Sequence, residues 1–201
     1  MNKISHIISW VLSPVLIPTY AVFTALWVTM LALLPVGLRI NVVLMTFLLT
    51  CVVPVLAIIL LYKMKIVSHP GLNHRKERYI PYVITAICYL GAAWYMYRIH
   101  APEWMYMFMT GGAIAAVVSC IVNAWWKISA HLAAMSGYVA LLFRILSDGI
   151  YICNMWVLIS VAILLTGLLG SARIQLRCHT FWQVIAGAAN GFFWVYLLTS
   201  L

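Results

Sequence analysis

Acid is what this sequence lacks most. Glu77, Glu103 and Asp148 are its only carboxylate side chains among 201 residues, against twelve Lys and Arg. Paired-carboxylate glycosidases need two acids flanking one bond, and magnesium or calcium sites draw on several oxygen ligands, usually including carboxylates. Three scattered acids exclude both. The Gly-x4-Gly-Lys-Ser/Thr nucleotide loop, the His-Glu-x-x-His zinc motif and the Gly-x-Ser-x-Gly elbow are also absent, so none of those chemistries has support. Charge as a whole is scarce, at 7%, while 66% of residues are hydrophobic. Soluble domains carry about 25% charge and disordered chains need low hydrophobicity, so both classes are excluded. Cys-x-x-Cys spacing is missing: Cys51, Cys88, Cys120, Cys153 and Cys178 are odd in number. Four lie within or at the ends of apolar runs, where free cysteine behaves as a small hydrophobe, so no disulfide or metal framework is expected. What is present in excess is positive charge, +9 net. In so oil-soluble a chain it fits a membrane surface, or an anionic substrate at one, better than nucleic acid.

The apolar residues come in long runs: 7–34, 40–62, 80–97, 104–124, 129–147, 151–170 and 180–201. A helix needs about 20 such residues to cross the hydrocarbon core, and backbone in lipid must satisfy its own hydrogen bonds, so these runs predict helices. The ten-residue alternating segments of a barrel are not seen. The expectation is an all-α, polytopic membrane bundle forming a single domain over residues 1–201, with six or seven spans. The two counts differ by the first run. It is too long for a signal-peptide core, and Pro14 and Pro18 predict a split into an interfacial piece and a span. Trp104 and the pair Trp125-Trp126 stand at predicted span ends, as an aromatic belt would. Small residues at 111–116 and 186–189 predict close helix contact.

Counting spans brings three polar segments, 63–78, 123–131 and 171–179, to the same face of the membrane. That face collects Arg75, Lys76, Arg78, Lys127, Arg173 and Arg177, with His74, His131 and His179, and only Glu77 to neutralise them. Cations near a bilayer are costly unless paired. An external anion would pair them, and the planar fork of arginine suits phosphate; the plainer reading is a positive flank that contacts lipid headgroups. Spacing adds to the first reading. In Ser171-Ala-Arg173-Ile-Gln-Leu-Arg-Cys-His179-Thr-Phe-Trp-Gln183, five residues separate Arg173 from His179. His179 and Gln183, four apart at a helix start, share a face. Gln183 is expected to accept a bond from one imidazole nitrogen and leave the other for the site. Lys127-Ile-Ser129-Ala-His131 puts a second histidine at a helix start, where backbone N–H groups favour anions.

With these residues in view, the chain resembles the type 2 phosphatidic acid phosphatase superfamily, membrane lipid phosphatases related to vanadium haloperoxidases. That family shows Lys-x6-Arg-Pro, Pro-Ser-Gly-His and Ser-Arg-x5-His-x3-Asp. Arg173 and His179 match the third motif in spacing, with Ser171 displaced by one and Gln183 in place of the acid. Ser129 and His131 match the second, with Ile128 for Pro and Ala130 for Gly. Arg78 stands for the arginine of the first, but Gly71 occupies the lysine position and Pro81 comes two residues late. The resemblance covers roughly residues 73–191. It implies that His179 attacks phosphorus, that His131 protonates the leaving oxygen, and that Arg78 and Arg173, with Arg75 or Lys127, hold the phosphoryl oxygens. Ser129 would bind another oxygen, and neither metal nor cofactor would take part. A lipid phosphate is the implied substrate. A lipid phosphotransferase and a non-catalytic binder or transporter of anionic lipid remain as alternatives. In bacterial relatives the site commonly faces away from the cytoplasm, whereas the distribution of Lys and Arg favours the cytoplasmic side. Lys3 and His6 read as an N-terminal anchor, His69 and His74 as loop residues, and Arg144 with Asp148 as a pair one helical turn apart.

Overall fold

The computed structural model describes residues 2–67 and 75–201; His69, Gly71 and His74 lie outside them. The described residues are predominantly helical, and the protein is an integral membrane protein. Six helices are long and apolar enough to cross a bilayer. One is a continuous rod, Val36–Lys63, made of α3 (Val36–Phe47) and α4 (Val53–Lys63) joined through a single π-helical turn at Leu48–Val52. The others are α5 (Tyr79–Arg98), α6 (Glu103–Val122), α7 (Ala130–Asp148), α8 (Met155–Gln175) and α9 (Phe181–Thr199). No β-strand occurs among the described residues; Thr29 and Tyr151 form an isolated bridge.

The first apolar run breaks around Pro14, but neither piece is the span expected, and Pro18 sits in the first turn of the second. The pieces are α1 (Asn2–Val11) and α2 (Ile17–Val28), each shorter than a span. Ser9 in α1 bonds side chains at the start of α7 and the end of α8. The far end of α2 is stitched to the α7–α8 connection through Ile152 N–H to the Val28 carbonyl and Met30 N–H to the Ile150 carbonyl. The two half-helices thus carry the chain from one end of the bundle to the other. Backbone freed at depth must find partners inside the protein. At this break Tyr89 Oη donates to the Pro14 carbonyl at 3.0 Å and Tyr20 Oη to the Val11 carbonyl at 3.2 Å.

The core of the bundle is α9 packed against α6 and α7. Glycine permits it. A Cβ at Gly191 would fall inside the Ala133 carbonyl, one at Gly187 would strike the backbone of Ser129, and one at Gly111 would lie 2.8 Å from the Val195 Cα. Both small-residue clusters therefore sit at helix crossings, as expected. Trp104 departs from the belt reading. It is buried in the core, while Trp125 and Trp126 are exposed; a span-end position does not decide which way a ring turns.

Helix α8 begins four residues later than its apolar run. Residues 150–152 are apolar but extended, bonded to the end of α2, and Asn154 caps α8 by accepting from Trp156 N–H at 3.1 Å. Near the opposite end from the histidines, Arg144 pairs with Asp148 and donates to the Thr199 carbonyl. Arg39 is buried with its guanidinium 4.6 Å from the Trp27 ring centre, a cation–π contact in a chain short of carboxylates.

Candidate functional site

Why Arg173 and His179 stand six positions apart follows from how α8 ends. Cys178 N–H bonds the Arg173 carbonyl and Arg177 N–H bonds the Ile174 carbonyl, with Arg177 at φ +52°. This is a Schellman motif, which reverses the chain within a few residues. Arg173 lies in the last turn before the reversal, and His179 is the residue before the N-cap of α9, Thr180. Gln183 does two jobs there. Its Oε1 lies 3.3 Å from His179 Nδ1 and accepts from Thr180 N–H at 3.2 Å, the second bond completing a capping box with Thr180. Since a carbonyl oxygen only accepts, Nδ1 carries the proton and Nε2 keeps the lone pair.

The three polar segments meet. Arg78, His131, Arg173 and His179 line one cavity of about 190 Å³. Arg78 and His179 are buried, and His131 and Arg173 are partly so. From this cluster the cavity wall changes to Tyr82, Thr85 and Tyr89 on α5, Phe108, Met109 and Ala115 on α6, and Pro14 and Pro18 at the broken first segment. Along α6 the lining extends from Ser119 to Phe108, about 16 Å at 1.5 Å per residue. One end of the cavity is cationic and the remainder is oily.

Burial, then Arg78, Lys127 and Arg173 in that order, hold His179 far below the ordinary histidine value, to about 3, against a small opposing effect of the Gln183 bond. The imidazole is therefore neutral at ordinary pH and has a free nitrogen lone pair. Burial, with Arg78 and Arg173, likewise pushes Lys127 below the usual lysine range. An anion joining the cluster opposes the part of both shifts that comes from the neighbouring cations, while the part that comes from burial stays.

The remaining candidates lie off the cavity wall. Lys127, Arg177 and Gln183 line a separate open hollow that shares His179 with the cavity. Arg75 is exposed on a short 3₁₀ turn, Arg75–Arg78, with its carbonyl held by Asn123 Nδ2 at 2.8 Å. Ser129 is fully buried at the N-cap of α7, its N–H donating to the Gln183 carbonyl and its hydroxyl without a partner. Among the described residues, no three His, Cys, Asp or Glu side chains group as a metal site. Residues that spacing could not find also bear on the cluster. Tyr82, one turn after Arg78, stands beside its guanidinium. Ser9 meets both Arg173 and His131; an i,i+4 relation could have flagged Tyr82, but nothing local ties residue 9 to residues 131 and 173.

Comparison with known proteins adds no relative. No family model, no curated protein and no solved structure matches this chain.

Proposed function

We propose that this protein hydrolyses a lipid phosphate, a phosphomonoester or a diphosphate, through a phospho-histidine intermediate. The observation that carries the reading is the two-part cavity: two arginines and two histidines at one end, and an apolar shaft leading away from them. A phosphoryl head with a hydrocarbon tail fits that pairing, whereas a water-soluble phosphate would leave the shaft empty. The resemblance of residues 73–191 to the type 2 phosphatidic acid phosphatases points the same way.

In this mechanism Nε2 of His179 attacks phosphorus, forming an N–P bond as the bond to the lipid oxygen breaks. His131, taking up a second proton as the phosphate anion joins the cluster, gives that proton from Nδ1 to the leaving oxygen, so the lipid leaves as a neutral alcohol or as the shorter phosphate. Water then attacks the phospho-histidine, His131 takes its proton, and phosphate leaves with His179 restored. Arg78 and Arg173 stabilise charge on the phosphoryl oxygens, with Lys127 acting from the hollow beyond His179. Phosphoryl transfer rests mainly on such positioning and charge. Gln183 orients His179 but supplies no negative charge. Ser129 stands at the N-cap position of α7 without a side-chain cap bond, and Gly187 of α9 meets its backbone there. Arg75, exposed on its turn, serves as an entry charge. The site faces away from the cytoplasm in this reading.

The test is purified protein with a panel of phosphatidic acid, phosphatidylglycerol phosphate and a polyprenyl diphosphate. Phosphate release that survives a strong chelator and stops with vanadate supports the reading. Release that disappears with chelator and returns with magnesium overturns it. Phosphate passed to another lipid instead of water marks the phosphotransferase alternative, and binding without turnover marks the binder.

A further inference from the structure

The N-terminal helix is built inside out. Its serines, Ser5 and Ser9, are buried four residues apart, while Ile4, Ile7, Trp10 and Val11 are exposed. Serines facing inward on an apolar helix have bonds to make, and these do. Ser5 Oγ donates to Gln175 Oε1 at 2.6 Å. Ser9 Oγ accepts from Arg173 Nη1 at 2.7 Å. His131 Nε2 lies 3.2 Å from the Ser9 carbonyl and 3.4 Å from its hydroxyl. One residue thus meets two members of the cationic cluster from a helix outside every motif.

We infer that Ser9 is a positioning residue of the phosphate site, setting the Arg173 guanidinium through its hydroxyl and the His131 ring through its carbonyl. The inference rests on the phosphate reading above. Arg173 and His131 line the cavity and Ser9 does not, so Ser9 supports them from behind and touches no substrate. Arg173 Nε is buried with no partner, which leaves the Nη1 bond to Ser9 as its fixed point and the rest of the fork for phosphoryl oxygens. The carbonyl can only accept, so His131 Nε2 bears a proton and Nδ1 is the nitrogen left to exchange one with substrate.

The two halves of the inference separate by mutation. Ser9→Ala removes the hydroxyl and spares the carbonyl. It should raise KM about tenfold and weaken vanadate inhibition about tenfold, the scale of losing one hydrogen bond to a charged group. The ratio of turnover on p-nitrophenyl phosphate to that on an alkyl phosphate should not move, because the acid His131 keeps its carbonyl partner. Ser9→Thr restores the hydroxyl and should recover most of the loss. Ser5→Ala is the control: it cuts a bond in the same α1–α8 seam but touches no member of the cluster, so KM and vanadate inhibition should match the parent. All variants are full chains checked by detergent chromatography. If Ser9→Ala and Ser5→Ala behave alike, or Ser9→Thr fails to recover a folded Ser9→Ala defect, Ser9 is only seam packing and the inference falls while the phosphatase stands. If the parent neither releases phosphate from any ester nor binds vanadate, the phosphate reading fails and takes this inference with it.

Discussion

Helix α7 and the rod Val36–Lys63 are both apolar enough to span a bilayer, yet they use their residues in opposite ways. Ten of the nineteen residues of α7 are buried, and they cover most of its circumference. Of the rod's 28 residues, Arg39, Val42, Thr46, Thr50 and Pro54 are buried, a narrow stripe at helical spacing. Two of those five are threonines whose hydroxyls bond the carbonyl one turn back, Thr46 to Val42 and Thr50 to Thr46. The rod is a wall with lipid-facing leucines outside and a thin seam inside. Helix α7 is a keystone: α9 crosses it at backbone contact and it carries His131 on its first turn. Hydrophobicity alone does not separate the two; what they pack against does.

The contrast can be broken at its strongest point first. His179→Ala should lower turnover by about a thousandfold or more, as loss of a covalent nucleophile does, with lipid binding largely kept; phosphate release and vesicle binding measured side by side check it. Full activity would move the site away from the α7–α9 crossing. The same histidine gives a pH dependence. Its folded value is about 3 and its unfolded value about 6.5, so the unfolded chain binds the extra proton between them. Its contribution to stability is complete above about pH 6.5 and falls as pH drops toward 3. Thermal unfolding in detergent at pH 7 and pH 4.5 should show a larger acid loss in the parent than in His179→Asn.

One substitution made twice then sharpens the comparison. Leu142→Ala in α7, where the side chain is fully buried, should cost about 2–5 kcal/mol. Gln183→Leu comes next and acts on rate: loss of the bond to Nδ1 should cost about a hundredfold, the scale of one preorganised hydrogen bond. Gln183→Glu should retain or raise turnover, because a carboxylate accepts the same bond and also stabilises the imidazolium; equal activity in Gln183→Leu and the parent would show that Gln183 serves only to cap α9. Smallest of all, Leu56→Ala on the outer face of the rod should change stability by less than about 0.5 kcal/mol. A large loss there would mean the wall has a partner.

The long spans were legible because an apolar run flanked by charge leaves a helix little choice. Their ends were less so. Residues 151 and 152 read as the start of a span, but the end of α2, more than a hundred positions earlier, holds the backbone there. Three reversals also left no sequence signal: Lys65, His100 and Arg177 take left-handed φ near +55° where glycine is the usual occupant. For the cluster, the relation of Arg173, His179 and Gln183 could be read because the three lie within eleven residues of one helix–turn–helix. The approach of Arg78 and Lys127 to them followed from counting spans. The family resemblance implies Ser129 as a phosphate ligand, yet it lies off the cavity wall, and Ser9 stands in no motif that would single it out.

That last contact also fixes an order of events. Ser9 bonds residues 122 and 164 positions later, and Ser5 one 170 positions later. Chains emerge from the ribosome at about 5–20 residues per second, so α1 waits about ten seconds or longer before Gln175 exists to receive it. The cluster cannot take its final form until residues 131 and 173 have joined a helix made long before them.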